Sequence, residues 1–311
     1  YEQLLHVDRD DGGNTTTLVN VKDGDNGTTF ALQLASDNIK VSGSSDLDGA
    51  VTINESSADV DFRVESNGNA NMLFVDGGSD AVGIGTAVPA ASHADADNLV
   101  IGTALGNNGM TIMGATGGYG SVFFADATDD SAAEYDGAIQ YSFGDPSMRI
   151  NVGGTLRMKI ENSGTTLPTQ PAFCVHPASS QDNIAVDETT VVFGTERFDQ
   201  GGDFDNSGSG STDNMFVAPV TGKYQLNVSV RLLAVDSAAG YYIVRIKTSN
   251  DEYSAIMDPD FGQDAVYWSW GLSVLADMDA ADTAYVTVIQ TGGTQQTDID
   301  TDSFFSGYLA C

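Results

Sequence analysis

Short alternations of apolar and polar residues, separated by turn-forming residues, run through the first half of the chain. Residues 30–34, 61–65, 72–75, 98–101, 110–113, 121–124, 138–141 and 148–152 carry the period-2 pattern of half-buried strands. Between them stand Asn26-Gly27, Asn67-Gly68, Gly77-Gly78, Asn108-Gly109 and Gly117-Gly118, pairs that supply the positive φ tight hairpins need. One spacing recurs: Arg63-Val64, Gly68 and Met72 reappear as Arg149-Ile150, Gly154 and Met158, which predicts the same strand, turn and returning strand used twice. Such short strands expose apolar faces and edges, and three copies wound about one axis would bury both.

At Gly164-Thr-Thr-Leu-Pro-Thr-Gln-Pro171 two prolines in a threonine-rich stretch predict a stiff connector. Beyond it the apolar runs lengthen, and residues 241–246, 266–270 and 284–289 read as inner strands of a sandwich. This divides the chain into an N-terminal β segment (1–47), a hairpin-repeat segment (48–166), a linker (167–170) and a C-terminal domain (171–311). About 140 residues suffice for a substantial core in that last domain.

Composition supports an all-β reading and narrows the partners. Acidic residues number 44 against 12 Lys and Arg, a formal charge of -32, and 36 of the 44 are Asp, which favours turns over helices. That charge argues against nucleic acid, whose binding needs cations to displace counterions. It fits a solubilising surface in salt, or else a surface for a basic partner. No stretch approaches the 18 or so apolar residues of a membrane span, and the start at Tyr1 reads as a processed or partial chain.

Candidate chemistry is sparse. In VDGGSDAVGIGT, residues 75–86, Gly83 and Gly85 have the first spacing of a dinucleotide loop, but Val88-Pro89 follows where a third glycine and a helix should begin. The glycines are therefore assigned to turns and close backbone approach. His6, His93 and His176 are scattered, and Cys174-Val-His176 offers only two metal ligands. Asp298, Asp300 and Asp302 alternate, so in an extended strand their carboxylates would share a face, where repulsion favours a bound cation. Asp199, Asp203 and Asp205 lie in a glycine-rich loop that could wrap calcium. Solvated loops are the competing reading of both sets. Tyr267, Trp268 and Trp270 are candidate contacts for sugar or protein, against the alternative that alternation sends half of them into a core or a trimer axis. No nucleophile-base arrangement is evident, so an enzyme is not expected, a glycan depolymerase being the one activity kept in view.

Two resemblances sharpen these expectations. The stretch from DGAVTINESSADVDFRVESNGNANMLFVDGGSDAVGIGT to MRINVGGTLRMKIENSGTT, about residues 48–166, resembles the shaft repeats of phage tail fibres and related virion appendages. PAFCVH (171–176), VVFGTERFDQGGDFDN (191–206), MFVAPVTGKYQLNVSV (215–230) and SFFSGYLAC (303–311) resemble, in order and spacing, four blocks of the C1q-like domain of the tumour-necrosis-factor-like jelly-roll group. The characteristic positions are Phe216, Ala218-Pro219, Gly222, Tyr224 and, in the last block, Phe305 to Gly307 and Leu309. The resemblances imply an all-β protein: an elongated trimeric β shaft of short hairpins, then a ten-stranded jelly-roll head that forms a homotrimer and binds without doing chemistry. Some C1q-like domains hold Ca2+ with acidic loops, which keeps the Asp sets in view. Their first and last strands are antiparallel neighbours, which would bring Cys174 near Cys311; a disulfide there would contribute about 4–5 kcal/mol in the chain-entropy account, and two thiols are the alternative. The implied role is a virion-surface structural protein whose N-terminal end meets other virion proteins and whose head binds a host-surface glycan or protein. The competing roles are a head fibre or capsid decoration, and a microbial surface adhesin or filament subunit.

Overall fold

The computed structural model describes residues 4–7, 17–25, 27–35, 38–54, 56–126 and 132–311. Asn26 of the predicted Asn26-Gly27 turn lies outside them. Two compact units divide at Thr111/Ile112. Among the described residues regular structure is strands, with two short 3-10 turns at Pro89–Ala91 and Ala132–Tyr135.

The first unit holds two four-stranded sheets. One is a meander of β1 (His6–Val7), β2 (Val19–Lys22), β3 (Thr29–Leu34) and β4 (Ile39–Val41). The other orders β5 (Phe62–Val64), β6 (Leu73–Asp76), β7 (Ala81–Ile84) and β8 (Leu99–Ile101), with β7 and β8 parallel rather than joined as a hairpin. Gly83 and Gly85 belong to this sheet. A Cβ on Gly83 would lie 2.4 Å from the Thr86 carbonyl oxygen, and Gly85 has φ +82°, so both serve backbone geometry. The turn after them is three residues long, so no helix N-terminus stands behind the glycines.

The second unit opens with a five-stranded antiparallel meander: β9 (Tyr119–Phe124), β10 (Gly137–Ser142), β11 (Ser147–Val152), β12 (Thr155–Glu161) and β13 (Gly164–Thr166). Residues 110–113, predicted as a strand, pair with nothing regular. The repeated Arg-to-Met spacing does give two hairpins, but their turns differ. β5 and β6 enclose residues 65–72, whereas β11 and β12 turn at Gly153-Gly154, with φ +60° and +66°, and absorb a bulge after Ile150.

Register sorts this meander's side chains into two unlike faces. Val122, Ile139, Ile150 and Met158 line up across four strands, and Tyr141, Met148 and Ile160 form the next row. Alternation puts both rows on one face. The opposite face carries Ser121, Gln140 and Asn151, joined by side-chain hydrogen bonds of 3.1 and 2.8 Å. There Arg149 and Lys159 both reach Asp145, at 3.1 and 2.9 Å.

Residues from Ala172 onward form a two-sheet sandwich. One sheet orders β16 (Thr195–Gln200), β14 (Ala172–His176), β25 (Phe304–Leu309), β19 (Gly222–Val235) and β22 (Ala265–Met278), with β24 (Asp298–Ile299) also on β19. The other orders β17 (Phe204–Asp205), β18 (Met215–Val217), β23 (Thr283–Thr291), β20 (Tyr241–Thr248) and β21 (Glu252–Met257), with β15 (Glu188–Thr190) on β23. This is the jelly roll expected, with two-residue β17 and β24 among its strands. β20 and β23 are inner strands as predicted, but residues 266–270 lie on β22, an edge, so that expectation is corrected.

The core is aromatic at its centre. Phe173 stacks on Phe216 at 4.6 Å and meets Phe305 edge-on at 5.0 Å, while Phe204 and Phe193 complete the cluster. Tyr224 is fully buried beside Phe216, and its hydroxyl donates to the Val220 carbonyl at 2.7 Å across the Pro-Val-Thr-Gly turn. A second tie holds the loop before β25. Arg231 on β19 donates through Nε and Nη2 to Asp300 at 3.0 and 2.7 Å, and also pairs with Asp302. Burial pushes the Asp300 carboxyl up, but the Asp302 N–H, the guanidinium and the Thr301 hydroxyl outweigh it and hold the group below its ordinary range.

Two outcomes follow for stability. Phe305→Ala removes a ring fully buried against those of Phe173, Phe193 and Phe204, and unfolding of the sandwich should cost about 3–5 kcal/mol less, read from denaturant midpoints. Because folding lowers the Asp300 pKa, its carboxylate stabilises above about pH 4 and that contribution is lost as pH falls through the folded value. Asp300→Asn should lower the melting temperature at pH 7 and flatten the acid side of the profile; an unchanged profile would show the pair to be inconsequential.

Candidate functional site

The longest ladder of the sandwich, β19 on β22, ends in a cleft. Its regular pairing runs from Gly222↔Met278 to Leu233↔Tyr267, skips Ala234, and resumes at Val235↔Ala265. Ala234 has φ +47°, a conformation costly for a residue with a Cβ, and it shifts the phase of the strand. Up to Leu232 the even positions are buried; after Ala234 it is Val235 that is buried. Around this interruption Leu233, Ala234, Asp264, Ala265, Val266, Tyr267 and Gln296 line a space of about 390 Å³.

Loops on both sides brace this cleft. The Asp264 carboxylate accepts hydrogen bonds from the Ser237 N–H and hydroxyl, each at 2.9 Å, and from the Gln296 amide at 2.9 Å. The Ser237 N–H, with the Gln296 and Ser237 side chains behind it, holds the Asp264 carboxyl below its ordinary pKa, so it is an anion at neutral pH. Behind it the Tyr242 hydroxyl meets the Asp236 N–H at 3.1 Å and Thr297 Oγ1 at 2.8 Å. Arg231 lies beneath the Tyr267 ring, 6.0 Å from its centre, while holding Asp300.

The three predicted aromatic contacts do not form one patch, because alternation along β22 sets Tyr267 on one face and Trp268 and Trp270 on the other. Tyr267 is 64 % exposed at the cleft mouth. Trp268 turns to the other face and stacks on Phe261 at 4.7 Å. Trp270 packs against the core margin, its Nε1 donating to the Ala255 carbonyl at 3.4 Å. Asp264, Gln296, Arg231 and the strained Ala234 were not singled out from sequence. Their partners lie tens of residues away, and only the broken alternation of Leu233-Ala234-Val235 could have hinted at the change of phase.

The predicted acidic sets do not converge on an ion. Asp298 accepts the Asn183 N–H at 2.6 Å, whereas Asp300 and Asp302 sit in a turn and face Arg231, so the extended arrangement with one shared carboxylate face is corrected. Asp199 accepts the N–H groups of Asp203 and Phe204 at 3.1 and 2.9 Å, and Asp205 accepts from Ser207 and Thr212. Burial, then the charge of Asp199, pushes the Asp203 carboxyl up. Among the described residues no three His, Cys, Asp or Glu side chains are placed to hold a metal.

Both cysteines are free thiols, which corrects the expected bridge. β14 does pair antiparallel with β25, but the register sets Cys174 opposite Ser306. Cys311 lies five residues further on, about 17 Å along an extended chain, far beyond disulfide reach. Burial also pushes the Cys174 thiol up, away from thiolate.

Comparison with known proteins follows this geometry. The globular domain of zebrafish complement 1qA protein aligns over 46% of this chain and 98% of its own, at 18% identity and a TM-score of 0.34. Murine APRIL aligns over 45% of this chain and 98% of its own, at 12% identity and a TM-score of 0.32. No curated protein matches the chain. No helix among the described residues is long and apolar enough to cross a membrane. The family match is confined to the sandwich: residues 172–310 match the C1q domain, and that part of the chain is identified by it as a C1q domain.

Proposed function

We propose that this chain is a non-catalytic structural protein of a virion appendage, a trimeric tail fibre or similar, whose C1q head binds a host-surface glycan or protein. The observation that carries the binding role is the cleft at the interruption of the β19–β22 ladder. It offers what a hydroxyl-rich ligand needs: an exposed tyrosine ring for the C–H face of a sugar, a fixed anionic acceptor in Asp264, and the Gln296 amide beside it. Asp264 accepts three of the roughly four hydrogen bonds a carboxylate can take, which leaves room for a ligand hydroxyl. Three such heads on one fibre would multiply weak individual sites into avidity. The homotrimer is the usual assembly of C1q domains, and the hairpin-rich segment before the head supports a stalk. Calcium has no role in this reading, and the virion surface is the location it requires.

The first test is native mass by light scattering: a species near three times the 32.5 kDa chain is expected. The second is binding of the full chain to an array of microbial surface polysaccharides. Retention should fall about tenfold in Tyr267→Ala, equivalent to about 1.4 kcal/mol, and stay unchanged in Tyr308→Ala, an exposed tyrosine of β25 away from the cleft. Equal loss in both variants, or reducing ends released from any bound glycan, would overturn the reading.

A further inference from the structure

The five-stranded sheet β9 to β13 buries the wrong side. Its polar face is closed at the β10–β11 turn, where Ser142 and Ser147 are 4% and 1% exposed, and open at Tyr119 and Phe123 of the edge strand β9. Its apolar face stands open, with Phe124 59%, Val152 55%, Ile139 45% and Ile160 41% exposed, flanked by Tyr141 and Met148. Register puts these side chains in adjacent rows, and no charged side chain shares the face. Together they leave on the order of 500 Å² of contiguous apolar surface, the size at which an exposed patch marks an interaction site.

From this we infer that the open face of β9 to β13 is a homotypic interface, covered by the same face of other copies of the chain. Three observations favour self over a foreign protein. The chain carries 32 net negative charges, so copies repel one another except where charge is absent, and this face is such a place. The sheet's own cations are spent on the reverse face, where Arg149 and Lys159 hold Asp145, leaving the apolar side nothing with which to select a charged partner. The sheet is also tethered close to the head: β13 ends at Thr166 and β14 begins at Ala172. The connector between them is pinned by Arg157 to Thr169 at 3.2 Å and by Gln200 to the Gln170 carbonyl at 2.7 Å. Five residues reach about 17 Å at most, so heads joined as a trimer hold three such faces at effective concentrations in the millimolar range.

The second four-stranded sheet repeats the arrangement. Val75, Val82 and Leu99 line up across β6, β7 and β8, with Ile84 and Ile101 in the next row, and all but Val82 are exposed. Two sheets of one chain thus each carry an uncovered apolar face.

This inference uses the trimeric head of the preceding section, so its test must fail separately. A benzophenone side chain replaces Tyr141, on the open face and 39% exposed, or Phe123, on the reverse face and 52% exposed; both are ring-for-ring exchanges in the full-length chain. After irradiation, the position-141 protein should give covalent dimers and trimers on a denaturing gel. The attachment points should map to residues 122–160 of another copy, with at least tenfold higher yield than from position 123. If light scattering shows a trimer but position 141 links only within its own chain, to residues 62–101 for example, or to a foreign protein, the homotypic face is wrong and the trimeric head stands. A monomer by light scattering, with no cross-linked dimer from either position, overturns both.

Discussion

Phe173 and Phe305 meet in the middle of the sandwich from its first and last strands, and the rest of the head depends on that contact. β14 and β25 pair antiparallel, side by side, and the aromatic cluster closes over them from the other sheet through Phe216 and Phe204. A loop of about 130 residues must close before this contact forms, so its entropy is spent on long-range packing rather than on local structure. In return every strand between is held at both ends. β19 gains β25 as a neighbour on one side and β22 on the other, and the 14-residue ladder that ends in the cleft can then extend well past the core.

The cleft exists because that ladder is broken at one residue. Without the positive φ of Ala234 the alternation of β19 would continue and Val235 would face outward. Instead the strain is held by surroundings that fix both sides of it: Val235 is locked into the core, and the Ala234 carbonyl is bonded by Gln296. A backbone strained where side chains splay open and ordered loops converge is what a preorganised binding surface requires.

The sequence was most legible where structure is local or where burial sets a period. Phe216 and Tyr224, on either side of Pro-Val-Thr-Gly, sit where alternation placed them, and the turn accounts for the Tyr224 hydroxyl through the Val220 carbonyl. It was misleading where a partner decides. Residues 266–270 look like an inner strand because they are apolar, yet their place in the sheet order makes them an edge, and apolar composition does not distinguish the two. Asp300 looked like part of an extended acidic row because nothing nearby in sequence announces Arg231, 69 positions away. The first and last strands are neighbours as the resemblance implies, but Cys174 pairs opposite Ser306 while Cys311 lies two residues beyond the end of β25, so strand order alone does not set the distance between the thiols.

The distribution of charge and apolar surface supplies a common logic for these features. A chain this acidic gains solubility everywhere at the cost of self-repulsion, so any stable contact between copies must be made where carboxylates are missing. Along the hairpin segments the acidic residues crowd into turns, such as Asp76 and Asp80 around Gly77-Gly78, or are neutralised on one face by Arg149 and Lys159. The strands between them are thereby free to present uncharged faces of Val, Ile, Phe and Met. The head differs: most of its apolar side chains fill an interior core, and at the start of β22 the exposed Val266 and Tyr267 stand beside an anion and an amide. One sequence thus places its hydrophobic residues in two ways, on open faces of the hairpin sheets and in the closed interior of the head.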